Sequence, residues 1–134
     1  MRTSLTLALV LVAGCATKSE MRMLPSDAGT KAVYRSSPDR IRLACMDTAG
    51  ELGFKVKEQT GTDAEHTFIA SQGLSSGSSG RYLRVRLSRG DGDPGEMKVF
   101  VVVRSKVESK ETAHTDALLE KDFQQRVAKR LEAK

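Results

Sequence analysis

A chain of 134 residues in which 29% are charged and 39% hydrophobic is typical of one folded domain, and this balance excludes an intrinsically disordered protein. Aromatic residues make up only 4%, with no tryptophan, which disfavours a protein that stacks sugars or bases on exposed rings. The formal net charge of +5 at pH 7 favours acidic partners.

The first predicted element is a short apolar run near the N-terminus. Residues 5–13 carry no charge and follow a weakly basic head that contains Arg2. Nine residues are too few to span a bilayer, which needs about 20, but they suit the apolar core of a signal peptide. The run leads into the string LVAGC, which ends at Cys15 and resembles the bacterial lipobox. In a lipobox, small residues let a dedicated peptidase cut just before a cysteine that carries a diacylglycerol.

The lipobox resemblance implies a signal peptide at residues 1–14 and a mature chain that begins with an acylated, palmitate-bearing Cys15. An ordinary secretory signal cut near Ala16 is the alternative. No second apolar run reaches membrane-spanning length, so the acyl chains are expected to be the only membrane anchor. Ala16 stands where many retained inner-membrane lipoproteins have Asp, which implies an outer-membrane lipoprotein on the periplasmic face.

Residues 15–29 are predicted to form a lipidated linker between the membrane and a domain at residues 30–134. The segment mixes small, polar and charged residues with Pro25 and has no sustained period. Fully extended, it would reach about 45–50 Å, far enough for the domain to stand clear of the membrane.

The domain is predicted to begin with a short strand at Thr30–Arg35 and a helix that starts at the sequence Ser-Pro-Asp, residues 37–39. The serine hydroxyl can cap the helix, proline suits its first position and an acid suits its first turn. The helix is expected to run to Leu52, because Gly53 follows as a terminator.

Cys45 lies in this predicted helix, in step with Ile41 and Ala49 on its apolar face. Acylation of Cys15 would leave Cys45 without an intramolecular disulfide partner, since the chain has only two cysteines. Free cysteine is among the most buried residue types, so a buried thiol is predicted. An intermolecular disulfide is the alternative.

Four strands and a second helix complete the predicted domain. The strands are expected at Phe54–Glu58, His66–Ser71, Tyr82–Ser88 and Met97–Lys106. Residues 72–80, rich in Gly and Ser, and the turn-forming residues 91–96 would connect them. The helix is expected from about Thr115 to Glu132, with an apolar stripe formed by Leu119, Phe123, Val127 and Leu131.

The order of these elements predicts an α+β fold: an optional strand, a helix, four strands and a helix. Short connections favour a single antiparallel meander sheet of four to five strands, with both helices packed on one face. This order, with Ser-Pro-Asp before the first helix and Leu-Gly-Phe after it, resembles the helix-grip or TBP-like domains of small outer-membrane lipoproteins, including the lipoprotein accessory to outer-membrane barrel assembly. The resemblance covers residues 30–134 and transfers no functional residue.

Motifs for catalysis, metals or cofactors do not emerge from the sequence. His66 and His114 are far apart and show no metal-binding spacing. The sequence DGDPGE at residues 91–96 begins like a calcium loop, but Val102 occupies the twelfth position, where a bidentate Glu is required. Serine-rich residues 72–80 lack the ending of a phosphate-binding loop. We therefore expect no metal, no cofactor and no enzymatic activity.

The positive charge of the chain concentrates in two adjacent strands. Residues 81–106 contain 7 basic and 3 acidic residues. If Leu83, Val85 and Val101 face the helices, the alternating positions form an open basic face with an apolar centre. This predicted partner-binding face comprises Lys55, Lys57, Tyr82, Arg84, Arg86, Lys98, Phe100, Val102 and Arg104.

The sequence thus favours a non-catalytic lipoprotein that binds an envelope protein, an anionic lipid or a cell-wall polymer through this face. A solvated sheet face that only maintains solubility is the alternative interpretation of the same charges. Nucleic acid is disfavoured as a partner by the expected periplasmic location. Rival functions are a small-ligand site in a groove between the C-terminal helix and the sheet, and an envelope enzyme.

Overall fold

The computed structural model describes residues 18–62, 65–73, 80–89, 95–107 and 109–132. The predicted signal peptide, Cys15 and parts of both predicted connections, residues 74–79 and 90–94, lie outside them. Eight elements follow in chain order: α1 (Lys18–Met23), β1 (Thr30–Tyr34), α2 (Pro38–Glu51), β2 (Lys55–Gly61), β3 (Glu65–Gln72), β4 (Arg81–Ser88), β5 (Met97–Ser105) and α3 (Lys110–Glu132).

The fold is α+β, as predicted, with one five-stranded antiparallel sheet in the order β1-β5-β4-β3-β2. Strands β2 to β5 form the predicted meander, and β1 adds to the free edge of β5. The chain enters β1 through Gly29, whose positive φ of 88° and close approach to the Val101 carbonyl both require a residue without a side chain.

Helices α2 and α3 cover one face of the sheet and enclose the main core. The inward strand residues are those that alternation predicts: Leu83, Val85, Leu87, Val99, Val101 and Val103. Phe123 and Val127 of α3 and Ile41 of α2 pack against them and are fully buried. Cys45 is buried in the same core, which confirms the predicted burial of its thiol.

Helix α2 begins as its sequence predicts. The Ser37 hydroxyl accepts a hydrogen bond from the Arg40 amide at 3.3 Å, and Pro38 occupies the first turn. Gly53 follows the helix with a positive φ of 89°.

Helix α3 begins at Lys110, five residues before the predicted start at Thr115. Two hydroxyls cap it: the Ser109 Oγ accepts from the Thr112 amide at 3.2 Å, and the Thr112 Oγ1 accepts from the Ser109 amide at 2.7 Å. The first turns of α3 carry no apolar residue that faces the core. The apolar period of the sequence therefore begins after the true start of the helix, and the predicted start was too late.

Two carboxylates of α3 complete the edge of β5 beyond the end of β1. Pairing with β1 stops at Val101, and the Val103 and Ser105 amides donate instead to Glu120 at 2.9 Å and Asp116 at 2.8 Å. Burial raises the pKa of Glu120, an effect that the hydrogen bond from the Val103 amide opposes. These side chains satisfy backbone donors that a longer β1 would otherwise satisfy.

The N-terminal part of the described chain corrects the predicted linker. Residues 18–29 do not extend freely, because α1 packs on the sheet face opposite α2 and α3, with Met21 fully buried. Six residues containing one buried apolar side chain produce no visible helical period, so the sequence pattern gave no sign of this helix. None of the helices in the described part of the chain is long and apolar enough to cross a membrane.

Candidate functional site

The sheet face turned away from α2 and α3, here called the back face, carries the predicted binding residues. Strand register places Lys55, Ser71, Tyr82 and Arg104 in one row across four strands. The next row contains Ile69, Arg84 and Val102, and a third contains Arg86 and Phe100. Lys57 lies at a shift in register between Val56 and Glu58, and Lys98 lies near the other end of the face. The register therefore places the predicted residues on one face, apart from Lys57, which lies in the bulge and has no register partner.

The centre of the back face is covered and is not the open apolar patch that was expected. Met21 of α1 packs against Ile69 and Val102 in a small second core, with Leu24, Ala28 and Tyr82 around it. Val102 is 1% exposed and Phe100 is 8% exposed. Neither side chain therefore offers apolar surface to a partner, Val102 because Met21 packs on it and Phe100 because it is buried beside Arg86.

Arg84 serves this docking and is not a surface contact, which corrects its predicted role. Its side chain is buried, and its guanidinium donates to the carbonyl oxygens of Met21 at 3.1 Å, Leu24 at 2.9 Å and Pro25 at 2.6 Å. Burial lowers the pKa of Arg84, and the positive charges of Arg86 and Arg104 lower it further. Its Nε is buried without a hydrogen-bond partner in the described residues.

Arg86 is also engaged within the domain. It donates to Glu65 at 3.0 Å and to the Ser26 carbonyl at 3.4 Å, and its guanidinium lies 5.5 Å from the centre of the Phe100 ring. Glu65 in turn accepts from the Ser88 hydroxyl at 2.6 Å. Arg86 thus covers one side of Phe100 and fixes the segment that follows α1.

A bidentate ion pair joins α1 to the edge strand β2. The Arg22 guanidinium donates to both carboxylate oxygens of Glu58, at 2.8 and 2.9 Å. The hydrogen bond from Arg22 is the main cause of the lowered pKa of Glu58, and the nearby charge of Lys18 adds to it. Sequence analysis missed this contact, because nothing local pairs residues 36 apart.

Four basic residues, Lys18 at the start of α1 with Lys55, Lys57 and Arg104 of the sheet, are here called the basic rim; Lys31 and Lys98 lie toward the other end of the back face. Within the described ranges none of the four rim residues makes a hydrogen bond or an ion pair through its side chain. Lys55 and Lys57 are exposed, and Lys18 and Arg104 are partly exposed. Lys18 contributes to the lowered pKa of Glu58, and Arg104 opposes the rise in the pKa of Glu120, so the domain balances part of the positive charge of the rim.

A cleft of about 310 Å³ lies between α1, its following segment and the back face. Its polar lining includes Arg22, Glu58, Arg84 and Arg86, and its apolar lining includes Leu24 and Ile69. Arg22 and Glu58 pair with each other, Arg84 donates to backbone carbonyls, and Arg86 donates to Glu65 and the Ser26 carbonyl. The cleft therefore lacks an unoccupied pair of groups that could act as acid and base.

The histidines are not gathered into a reactive site. The His66 Nε2 lies 3.2 Å from the Gln59 side-chain oxygen across the β2–β3 pair, and His114 is exposed on α3. In the residues that the structure describes, no three His, Cys, Asp or Glu side chains are placed to bind a metal ion. Phe123 and Val127, on the side of α3 that faces the sheet, are fully buried in the main core.

Comparison with known proteins adds no functional assignment. The chain matches no protein-family model, and no curated protein is similar to it at a significant level. The function is therefore argued from the residues of this chain alone.

Proposed function

We propose that the protein is a non-catalytic lipoprotein, anchored through Cys15 to the periplasmic face of the outer membrane, that binds an acidic envelope partner through its basic rim. The lipobox string LVAGC supports the anchor. The observation that carries the binding role is a set of four basic side chains, beside the docked N-terminal segment, that make no hydrogen bond or ion pair with the described residues.

Fewer residues are available to bind a partner than the sequence suggested. Arg84, Phe100 and Val102 stabilise the domain, and Arg86 is held by Glu65 and Ser26. What remains for a partner is charge with little apolar surface. Such a surface contributes association rate and specificity more than tight affinity, so the partner would be bound with strong dependence on salt.

The anchor is tested by labelling growing cells with radioactive palmitate. We expect label on the wild-type protein and none on a Cys15→Ala variant, because the thiol carries the first acyl groups. An unlabelled wild-type protein that still leaves the cytoplasm would favour the ordinary secretory signal and contradict the anchor.

The binding face is tested by placing a photo-crosslinking amino acid at Lys57 in intact cells, with the same change at Lys129 on α3 as a matched control. Both residues are exposed lysines, Lys57 on the edge strand β2 and Lys129 on α3 near Glu51 of α2. We expect crosslinks from position 57 well above those from position 129. Equal crosslinking from the two positions would contradict a specific binding face.

A further inference from the structure

We propose that the partner of the basic rim is the layer of anionic phospholipid headgroups in the bilayer that holds the Cys15 lipid, so that the domain lies against the membrane. This inference rests on the proposed lipid anchor and names the partner of the same surface. It replaces the expected picture of a domain that stands clear of the membrane on a long linker.

The first argument is the length of chain between the anchor and the docked helix. Only Ala16 and Thr17 separate Cys15 from Lys18, where α1 begins. Three residue-to-residue steps span at most about 11 Å, compared with the 45–50 Å or so of a free segment from 15 to 29. As long as α1 stays docked, its first residue lies within about one Debye length of the lipid anchor.

The second argument is the direction of α1, which brings its first residue toward the basic rim. Lys18 is close enough to Glu58 on β2 for its charge to lower the pKa of that carboxyl. Met21, within α1, lies close to Tyr82, which is in the same row as Lys55. The Ser26 carbonyl, after the end of α1, accepts from Arg86, which is two rows further along β4. The described chain thus runs from the rim toward the row of Arg86, so α1 begins on the side of the rim.

The third argument is the chemistry of this surface, which suits lipid headgroups better than a folded protein. Protein interfaces have a desolvated apolar or aromatic centre, and here Val102 and Phe100 are buried under α1 and Arg86. The rim offers lysines and an arginine that can each approach separate phosphates. Met23, at the end of α1, is 82% exposed and supplies an apolar side chain that can insert between headgroups.

The test uses the acylated protein purified from cells and reconstituted into vesicles of phosphatidylcholine, with or without 30% phosphatidylglycerol. A fluorophore attached at Lys57→Cys measures how close the rim lies to the membrane. A fluorophore attached at Lys121→Cys measures the same for the exposed side of α3. Cys45 is buried and stays unlabelled. Quenching of the fluorescence by lipids that carry a quencher on the headgroup then shows which side of the domain lies at the membrane.

We expect quenching at position 57 to be several-fold stronger than at position 121 in vesicles with phosphatidylglycerol. The Lys18→Glu/Lys55→Glu variant should lose most of this difference, since each basic residue near an anionic surface contributes about fivefold to partitioning. The Lys110→Glu/Lys129→Glu variant, which has the same change in net charge on α3, should keep it.

Equal quenching at positions 57 and 121 on an acylated protein would overturn the proposed orientation and leave the anchor standing. A protein without acyl groups, established by mass spectrometry, would overturn the anchor and this inference together. Strong crosslinking from position 57 in cells, with equal quenching at the two positions in vesicles, would identify the partner as a protein or polymer and overturn the lipid assignment.

Discussion

Arg84 is the residue on which the arrangement of the back face depends. A buried cation is costly, and this one has no carboxylate partner among the ion pairs of the described residues. Three carbonyl oxygens at and after the end of α1 offset that cost with charge-assisted hydrogen bonds. The planar fork of arginine can reach all three, whereas a lysine ammonium is a single point of charge.

Glu120 is a second buried charge, and its effect on stability has a defined sign. Burial raises its pKa in the folded state above the unfolded value, so its stabilising contribution is present at acid pH and is lost as the pH rises through the folded pKa. Glu120→Gln keeps an oxygen for the Val103 amide and removes the charge. We expect it to increase the free energy of unfolding at pH 7 by about 1 kcal/mol or less, measured by urea denaturation.

The pH dependence separates the charge of Glu120 from its hydrogen bond. The gain from Glu120→Gln should shrink as the pH falls through the folded pKa and be absent below the unfolded pKa, since the wild-type carboxyl is then neutral in both states. The control, Glu120→Ala, leaves the Val103 amide without an acceptor and should cost about 1–3 kcal/mol at every pH. A Gln variant that is less stable than wild type at pH 7 would mean that the ionised hydrogen bond outweighs burial.

At the scale of elements, α1 is too short to be stable without its docking contacts. A helix of six residues does not persist alone in water, so Met21, Arg22 and Arg84 must hold it. We expect Arg84→Lys to raise the rate of trypsin cleavage after Lys18 or Arg22 by about 10- to 100-fold, from a loss of about 1–3 kcal/mol in docking. The midpoint of global unfolding should change much less.

The matched control for α1 release is Arg130→Lys, which weakens an exposed ion pair with Glu51 on the other side of the molecule. Its cleavage rate in the N-terminal segment should equal that of wild type. If Arg84→Lys also left this rate unchanged, the three carbonyl contacts would not be what holds α1.

Elements with regular patterns were predictable from sequence, and those held by distant contacts were not. Alternation in residues 81–88 and 97–105 placed both strands and assigned Val85 and Val101 to the core. Helix α1 depends on one buried methionine and on Glu58, far along the chain, so no local period marks it. The burial of Val102 follows from that same packing, because alternation says which face a residue is on but not what covers that face.

The whole molecule is asymmetric across its sheet. Two long helices enclose a continuous core on one face, and one short helix with a ring of basic residues occupies the other. The main core therefore lies on the α2–α3 side, and a smaller cluster lies under α1 on the back face. In the proposed orientation, the acidic and basic side chains paired between α2 and α3 face away from the membrane.

The reactivity of the Cys45 thiol measures how often the main core unfolds. Its thiol is buried between α2 and the sheet, and burial raises its pKa to about 12. In a Cys15→Ala protein we expect a thiol reagent at pH 7 to label Cys45 at least about 1,000-fold more slowly than in urea, because reaction requires unfolding of the core. The unfolded thiol ionises near pH 9, so stability should fall as the pH rises above that value. Rapid labelling of the native protein, or a dimer on a non-reducing gel, would show that Cys45 is exposed by a local opening and available to link two copies.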